Sequence, residues 1–450
     1  MLKVLLYNPP MPYIGKSHKQ TPLGLCYLSS SIKDKANCVV YDGNVLDGFC
    51  EYAKDFNPDI IGVSILTATF NTVVHIIEKL RTILPNSIFI AGGIHASIYP
   101  EEVLKSGFDL IIRGEGEITF REIIDLLYEK KNWKSGIGNM FANIAGISYW
   151  DGERFVHTKN RKYIDNLDAI AFPDRSNLPL EKYEHDSIMT SRGCAFNCFY
   201  CSSSYYWGQK VRYRSAKNVF DEILEVISYG VKKIYFCDDN FTSNHRLVKE
   251  ICELIIQNHI SIQWSALTRV DTINLDILKL MKSAGCEVLS LGIENGTETF
   301  MEGIKRTSFE KTVNAFRMIK QAQIKTRTTW IIGLGKTYTE EKESFELLKL
   351  ILPDQVSVHC LIPFPNTDAW NNPDKYNLII DKENMNWDIM NMTYSPQLLD
   401  YIKFRHISKS QIIDLLGTIK QEMKSYGYDG KNRIFETFID DRIIPVLQEA

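Results

Sequence analysis

Along residues 1–130, short apolar or β-branched runs alternate with amphipathic stretches, the signature of a parallel α/β sheet. Five strands are predicted at KVLLYN (3–8), NCVVYD (37–42), DIIGVSI (59–65), SIFIAGG (87–93) and DLIIRGE (109–115). Between them, PLGLCYLSSSIKD, FNTVVHIIEKLRTIL and EITFREIIDLLYEKK carry the helical period. The strands end in Gly, Ser, Asp or Asn, at the carboxyl edge where open α/β sheets bind ligands. This pattern predicts a doubly wound, Rossmann-like domain over residues 1–135. Weak strand signals around ISYWDGERFVH, followed by the irregular run DAIAFPDRSNLPLEKY, predict a hairpin and linker over 136–186.

From residue 187 a second alternation begins. Its strands are predicted at KKIYFCDD (232–239), SIQWSALTR (261–269), EVLSLGIEN (287–295), KTRTTWIIGLG (325–335) and DQVSVHCLIPF (354–364), with helices of ordinary length between them. Counting the segment SIMTSRG as the first strand gives six β/α units. Six are too few for a closed eight-fold barrel, so a partial (β/α)6 TIM-type barrel is expected over 187–375. Residues 376–450, rich in Lys, Ile, Glu and Leu at helical spacing, predict a small helical C-terminal cap.

At 450 residues the chain is long enough for two or three cores. The 52 basic and 55 acidic side chains nearly balance and form no basic block, so neither nucleic acid nor a membrane surface is an expected partner. No run approaches a membrane span. The opening MLKVLLYNPPMPY is apolar for only a few residues before its prolines, and reads as a buried strand instead of a signal peptide. Ten cysteines are too sparse for a disulfide scaffold, which points to a reducing, cytoplasmic setting.

Seven of those cysteines are scattered among apolar neighbours, where a free thiol packs as a small hydrophobe; His359 and Cys360 read as such a packed pair. The other three form GCAFNCFYC, with Cys194, Cys198 and Cys201 in CxxxCxxC spacing. Three thiolates on one tight loop can hold three corners of a cubane cluster and leave the fourth iron open. Structural zinc needs four ligands, and no fourth Cys or His follows at finger-like spacing. An electron-carrier ferredoxin would likewise need a fourth cysteine nearby.

CxxxCxxC directly after a first strand, at the head of six β/α units, resembles the radical S-adenosylmethionine superfamily. The resemblance implies a 4Fe–4S cluster on Cys194, Cys198 and Cys201 whose open iron binds S-adenosylmethionine and cleaves it to a 5′-deoxyadenosyl radical. It places Tyr200 near the adenine. It also implies cofactor contacts at the strand ends: Asp238, with Asp239 and Asn240 beside it, toward the methionine amino group, Arg269 in TRVD, and Glu294 toward the ribose hydroxyls. The bland reading is that Asp239 or Asn240 caps the helix beginning near His245 and that Arg269 pairs with Asp271. Gly335-Lys336-Thr337 only superficially resembles a phosphate loop, because Trp330 stands where a P-loop needs glycine.

The ordered strings QTPLGLCYLSS, GVSILTATFN, AGGIHASIYPEEVL and RGEGEITF resemble the cobalamin-binding domain that precedes one large class of these enzymes. This second resemblance implies cobalamin contacts from Ser64, Thr67, Gly92, Gly93, His95, Gly114, Glu115 and Gly116, with His95 beside the nucleotide tail. Asn44 in YDGNVLDG stands where mutases carry a cobalt-ligating histidine, so a protein histidine is not expected to ligate cobalt there. A domain that has lost its cofactor is the alternative reading of these glycines. Together the resemblances imply a methyltransferase acting on an unactivated carbon or phosphorus of a small molecule, served by an external donor such as flavodoxin or ferredoxin. A cobalamin-dependent radical cyclase, oxidase or ring-contracting enzyme shares every motif, and a non-catalytic cluster- or cobalamin-binding module is the reading outside catalysis.

Overall fold

The computed structural model describes residues 1–12, 20–130, 139–391 and 397–437. The chain divides into two compact units, residues 1–186 and 187–450.

In the first unit the strands are β1 (Leu2–Asn8), β2 (Ala36–Asp42), β3 (Ile60–Ser64), β4 (Ile88–Gly92), β5 (Leu110–Ile112), β6 (Ile147–Trp150) and β7 (Phe155–His157). They form one sheet in the order β2-β1-β3-β4-β5-β6-β7. The first five are parallel. Val4, Leu5 and Leu6 are wholly buried, as in strands covered on both faces. Helix Phe70–Ile83 buries Phe70, Val73, Ile77 and Leu80, a stripe at steps of three and four that seats it on the sheet. The chain moves to one side of β1 to make β2 and to the other to make β3, so the carboxyl ends of β1 and β3 form a topological switch point.

The β6–β7 hairpin pairs antiparallel with β5, Ile147 opposite Ile112, and so extends this sheet. The irregular run after it also folds back within the unit. Arg175 and Asp186 form a buried ion pair at 2.6 Å, and Asp174 accepts from Ser29 Oγ and meets Lys33 Nζ, both at 2.9 Å.

The second unit begins with β8 (Asp186–Ile188) and the antiparallel pair β9 (Ser191–Arg192) and β10 (Arg212–Tyr213). Its main strands are β11 (Lys233–Phe236), β12 (Gln263–Thr268), β13 (Cys286–Glu294), β14 (Lys325–Ile332) and β15 (Gln355–Cys360). Alternate residues of β12 and β14 are buried, which gives each strand one face for the helical layer and one for the interior. The helices between them start on side-chain caps: Ser215, Asn244, Asn274 and Ser308 each accept from a backbone N–H three residues on, satisfying donors that the first turn leaves open.

Among its described residues the C-terminal region is helical only in part, and the part of the expected cap over 438–450 lies outside them. A hairpin of β16 (Leu378–Ile380) and β17 (Ile402–Phe404) precedes helix Lys409–Ser425, whose Ser408 and Gln411 form a capping box. β18 (Ile434–Thr437) then pairs parallel with β15. The sheet order is therefore β18-β15-β14-β13-β12-β11-β8, the six expected strands of a TIM-type partial barrel with a seventh at the edge. Among the described residues no helix is long and apolar enough to cross a membrane.

Candidate active site

The loop from β9 to β10 carries the three clustered cysteines. It begins at Gly193, whose φ of 105° is left-handed and whose missing Cβ would lie 2.6 Å from the Lys210 carbonyl oxygen, so a side chain here would force the loop open. The Cys201 amide donates to the Cys198 carbonyl at 3.0 Å. Cys194, Cys198 and Cys201 are partly exposed free thiols and all line one cavity of about 410 Å³. Burial pushes the Cys194 thiol up to about 11 and raises that of Cys201, so these groups become thiolates beside a strong cation such as cluster iron. Among the described residues no three His, Cys, Asp or Glu side chains are drawn close enough to hold a metal ion. The triad therefore shares a wall without forming a ligand triangle. As a donor set it still fits a cubane: three sulfurs on one short loop, facing open space.

The strand ends close the cavity. Asp238 and Asp239 lie just beyond β11, where successive residues face opposite ways. Asp239 lines the cavity, with Ser203 Oγ donating to it at 2.7 Å. Asp238 points away and is 2% exposed. It accepts from the Thr190 amide at 3.2 Å, the Thr190 hydroxyl at 2.8 Å and the Ser191 hydroxyl. The structure thus gives Asp238 the task of pinning the chain that enters the cysteine loop, and Asp239 the position facing the cavity. Burial raises the pKa of both carboxyls. Neither Asp239 nor Asn240 caps the next helix, because Asn244 does; Asn240 accepts from Thr268 and Thr272.

Arg269 lines the cavity but is heavily engaged. It makes a two-pronged pair with Asp271 at 2.8 and 2.9 Å, donates to the Lys305 carbonyl, and lies 3.6 Å from the Phe196 ring centroid. It fastens the cysteine loop to the end of β12. Glu294 ends β13 with a left-handed φ of 66° at a register shift against β14, an uncommon backbone for a residue with a side chain. Its carboxylate accepts from Lys305 Nζ at 3.4 Å and Thr329 Oγ1 at 3.3 Å within the cavity. Lys305 ends a π-helical turn, Met301–Lys305, of a kind frequent at functional sites. His359 and Cys360 also line this cavity.

The residues singled out in the first unit gather at the carboxyl edge of its sheet. Ser64 ends β3, Gly92 ends β4, and Thr67 begins a short turn after β3. Gly93 has φ 93°, and a Cβ there would sit 2.7 Å from the Ile65 carbonyl oxygen; the backbones following β3 and β4 can approach this closely only at glycine. The Gly114 amide donates to Ser97 Oγ at 3.0 Å, and Gly116 precedes helix Glu117–Glu129. Glu115 is buried and accepts from the Ile164 amide at 2.7 Å. His95 is wholly buried, its ring 4.5 Å from that of Phe70 and 5.3 Å from that of Tyr99. Burial drives its pKa down to about 3, which keeps the ring neutral. Asn44 is a structural residue: it accepts from the Met11 amide at 3.0 Å and donates to Asp42 at 2.9 Å.

Comparison with known proteins gives these two units a common context. Residues 17–124 match the B12 binding domain family, and residues 188–348 match the Radical SAM superfamily. The chain is 31% identical to the uncharacterized methyltransferase PH0819 of Pyrococcus horikoshii, over 92% of this chain and 91% of that protein. The chain belongs to the cobalamin-dependent radical S-adenosylmethionine enzymes. It is 28% identical to the anaerobic magnesium-protoporphyrin IX monomethyl ester cyclase of Synechocystis, over 79% of this chain and 74% of that one. The structure of the radical S-adenosylmethionine methyltransferase TsrM from Kitasatospora setae, with cobalamin and a 4Fe–4S cluster bound, matches the fold. Its TM-score is 0.72 at 18% identity, over 87% of this chain and 82% of that one. The cofactors of this radical S-adenosylmethionine enzyme are a 4Fe–4S cluster, S-adenosylmethionine and cobalamin.

In the radical S-adenosylmethionine domain, the motif that imitates a phosphate loop has another task. Glu341 is buried, and one of its oxygens accepts from the Gly333 amide at 3.0 Å, the Gly335 amide at 2.8 Å and His406 Nε2 at 2.9 Å. Glu340 takes the Lys336 amide at 2.5 Å. These carboxylates occupy the N–H groups that a phosphate would need, and they fix the turn that continues β14 from the cavity wall. Glu341→Ala leaves three buried donors without their acceptor and is expected to cost about 3 kcal/mol or more of unfolding free energy. Glu341→Gln, which retains an acceptor oxygen, should cost clearly less. Denaturant titration followed by tryptophan fluorescence measures the difference, and equal losses for the two variants would contradict the clamp.

Proposed function

We propose that this enzyme transfers a methyl group to an unactivated carbon or phosphorus centre of a small molecule. The observation that carries the reading is the pairing of a B12-binding domain with a radical S-adenosylmethionine domain in one chain, alongside near full-length similarity to a protein named as a methyltransferase. When bound, the reduced cluster and S-adenosylmethionine supply a 5′-deoxyadenosyl radical that removes a hydrogen atom, and cobalamin supplies the methyl group.

The chain's own residues bind, orient and shield these groups. Cys194, Cys198 and Cys201 hold the cluster. Asp239 faces the methionine ammonium group in place of Asp238, while Glu294, steadied by Lys305 and Thr329, takes the ribose hydroxyls. Tyr200 supplies an aromatic wall toward the adenine. Leu267, Ile331, Leu361, Ile362 and Phe364 make the remaining wall largely apolar, which keeps water from the reacting centre. In the first unit, Ser64, Thr67, Gly92, Gly93 and the segment Gly114–Gly116 offer the edge for cobalamin. His95, neutral within its packing against Phe70 and Tyr99, follows that edge on the side of the nucleotide tail.

An external low-potential donor such as flavodoxin or ferredoxin supplies electrons. All ten cysteines are free thiols, in keeping with the reducing cytoplasm proposed as its location. The second reading is a radical cyclase without methyl transfer, favoured by the similarity to the magnesium-protoporphyrin ester cyclase. Methyl-deuterated S-adenosylmethionine, a strong reductant and a panel of small-molecule acceptors separate the two. Deuterated methyl in the product supports methyl transfer, whereas a consumed substrate whose product carries no label establishes the cyclase or oxidase reading.

A further inference from the structure

We propose that the Tyr200 hydroxyl donates a hydrogen bond to a sulfur of the iron–sulfur cluster and thereby sets the cluster's reduction potential. This inference rests on the assignment of the cluster to Cys194, Cys198 and Cys201.

Tyr200 stands between the second and third of these cysteines, lines their cavity, and is 9% exposed. Its hydroxyl is buried, has no partner at full hydrogen-bond geometry, and the one side-chain hydrogen bond that acts on it is with Cys198. The ionisable groups acting on it are Glu294, Cys198 and Cys201. Both carboxylate oxygens of Glu294 already accept, one from Lys305 and the other from Thr329. The hydrogen bond with Cys198 makes sulfur the acceptor that the hydroxyl meets.

The ring is held in place. It meets Phe199 edge-on at 5.1 Å and stacks with Phe300 at 6.3 Å, while Phe199 itself stacks on Tyr376 at 4.0 Å. Packing on this scale is satisfied equally by phenylalanine. A phenolic O–H buried against a thiol, a weak acceptor, is poorly satisfied, so tyrosine makes physical sense here if that sulfur is a cluster thiolate. A bond to such an anionic sulfur is stronger than a neutral one. It also strengthens as the cluster gains an electron, which favours the reduced state and raises the potential.

The test uses the full-length chain, anaerobically reconstituted, as wild type and Tyr200→Phe, with the reduced cluster titrated against potential by electron paramagnetic resonance. The expected result is equal iron and sulfide content and a more negative midpoint in the variant. 5′-Deoxyadenosine formation should fall several-fold with a flavodoxin donor and recover with titanium(III) citrate. An unchanged midpoint at full cluster occupancy overturns the proposal. Resonance Raman spectra in water and deuterium oxide give a second reading, with an isotope shift of the iron–thiolate bands expected in wild type and diminished in Tyr200→Phe. Wild-type bands indifferent to deuterium also overturn it. A wild type that assembles no cluster would instead refute the cluster assignment itself.

Discussion

Joint replacement of Cys194, Cys198 and Cys201 by alanine is expected to yield a folded protein that binds no iron and forms no 5′-deoxyadenosine. The fold should survive because the cysteines lie on a loop whose anchors are elsewhere: Gly193 against Lys210, the β9–β10 pair, and Asp238 holding Thr190 and Ser191. Chemistry should not survive, because the three thiols are the donors that the cluster would lose and its iron has no hold on alanine. Single replacements should act almost as severely, since a cubane left with two protein ligands loses its hold on the loop. Iron analysis and chromatographic assay of 5′-deoxyadenosine measure both effects. Wild-type levels of the nucleoside from the triple variant would remove the cluster from this loop.

Glu294→Ala is expected to weaken S-adenosylmethionine binding by roughly 10- to 100-fold, the range of a charged hydrogen bond worth about 1.5–3 kcal/mol. Cluster content should remain unchanged, because the hydrogen bonds of Glu294 go to Lys305 and Thr329, and the cysteine loop is anchored elsewhere. The variant also leaves Lys305 in a nearly buried position without its carboxylate partner, so part of the loss comes from the stranded ammonium. Lys305→Met in the same background should recover some stability without restoring affinity. Isothermal titration of the reconstituted protein with S-adenosylmethionine distinguishes these terms. Undiminished affinity in Glu294→Ala would show that this carboxylate does not contact the cofactor.

The two halves of the molecule differed in what their sequences reveal. The parallel strands of the first sheet announce themselves through apolar runs, because strands buried on two faces leave little room for polar residues. In the second, β12 and β14 show instead an alternation of buried and less buried positions. The cysteine triad was legible because its chemistry depends on spacing along a single loop. Asp238 and Asp239 show the opposite case: adjacent acids at a strand end face opposite ways, and only the three-dimensional path selects Asp239 for the cavity. Arg269 could be placed at the cavity and its pairing with Asp271 was open to view two residues away, but its contact with the Phe196 ring depends on a loop path that the sequence does not specify.

Lys305 and Glu341 give no signal of their roles in the sequence. The first enters the cavity through a π-helical turn, which interrupts the helical period used to assign faces. The second lies within a motif whose glycines attract attention to phosphate binding, although the acids that follow them occupy the same amides. The sheet joined by the β6–β7 hairpin, and the return of β18 to the edge of β15, are long-range pairings. A strand's period shows that it pairs, and says nothing about which neighbour it finds.

Electron paramagnetic resonance of the anaerobically reconstituted, reduced protein, recorded before and after addition of S-adenosylmethionine, tests the central claim most directly. The account predicts a reduced 4Fe–4S signal that changes shape when S-adenosylmethionine occupies the open iron, and that is missing from the triple cysteine variant. A signal indifferent to S-adenosylmethionine, or a bound zinc ion with no such signal, would contradict it.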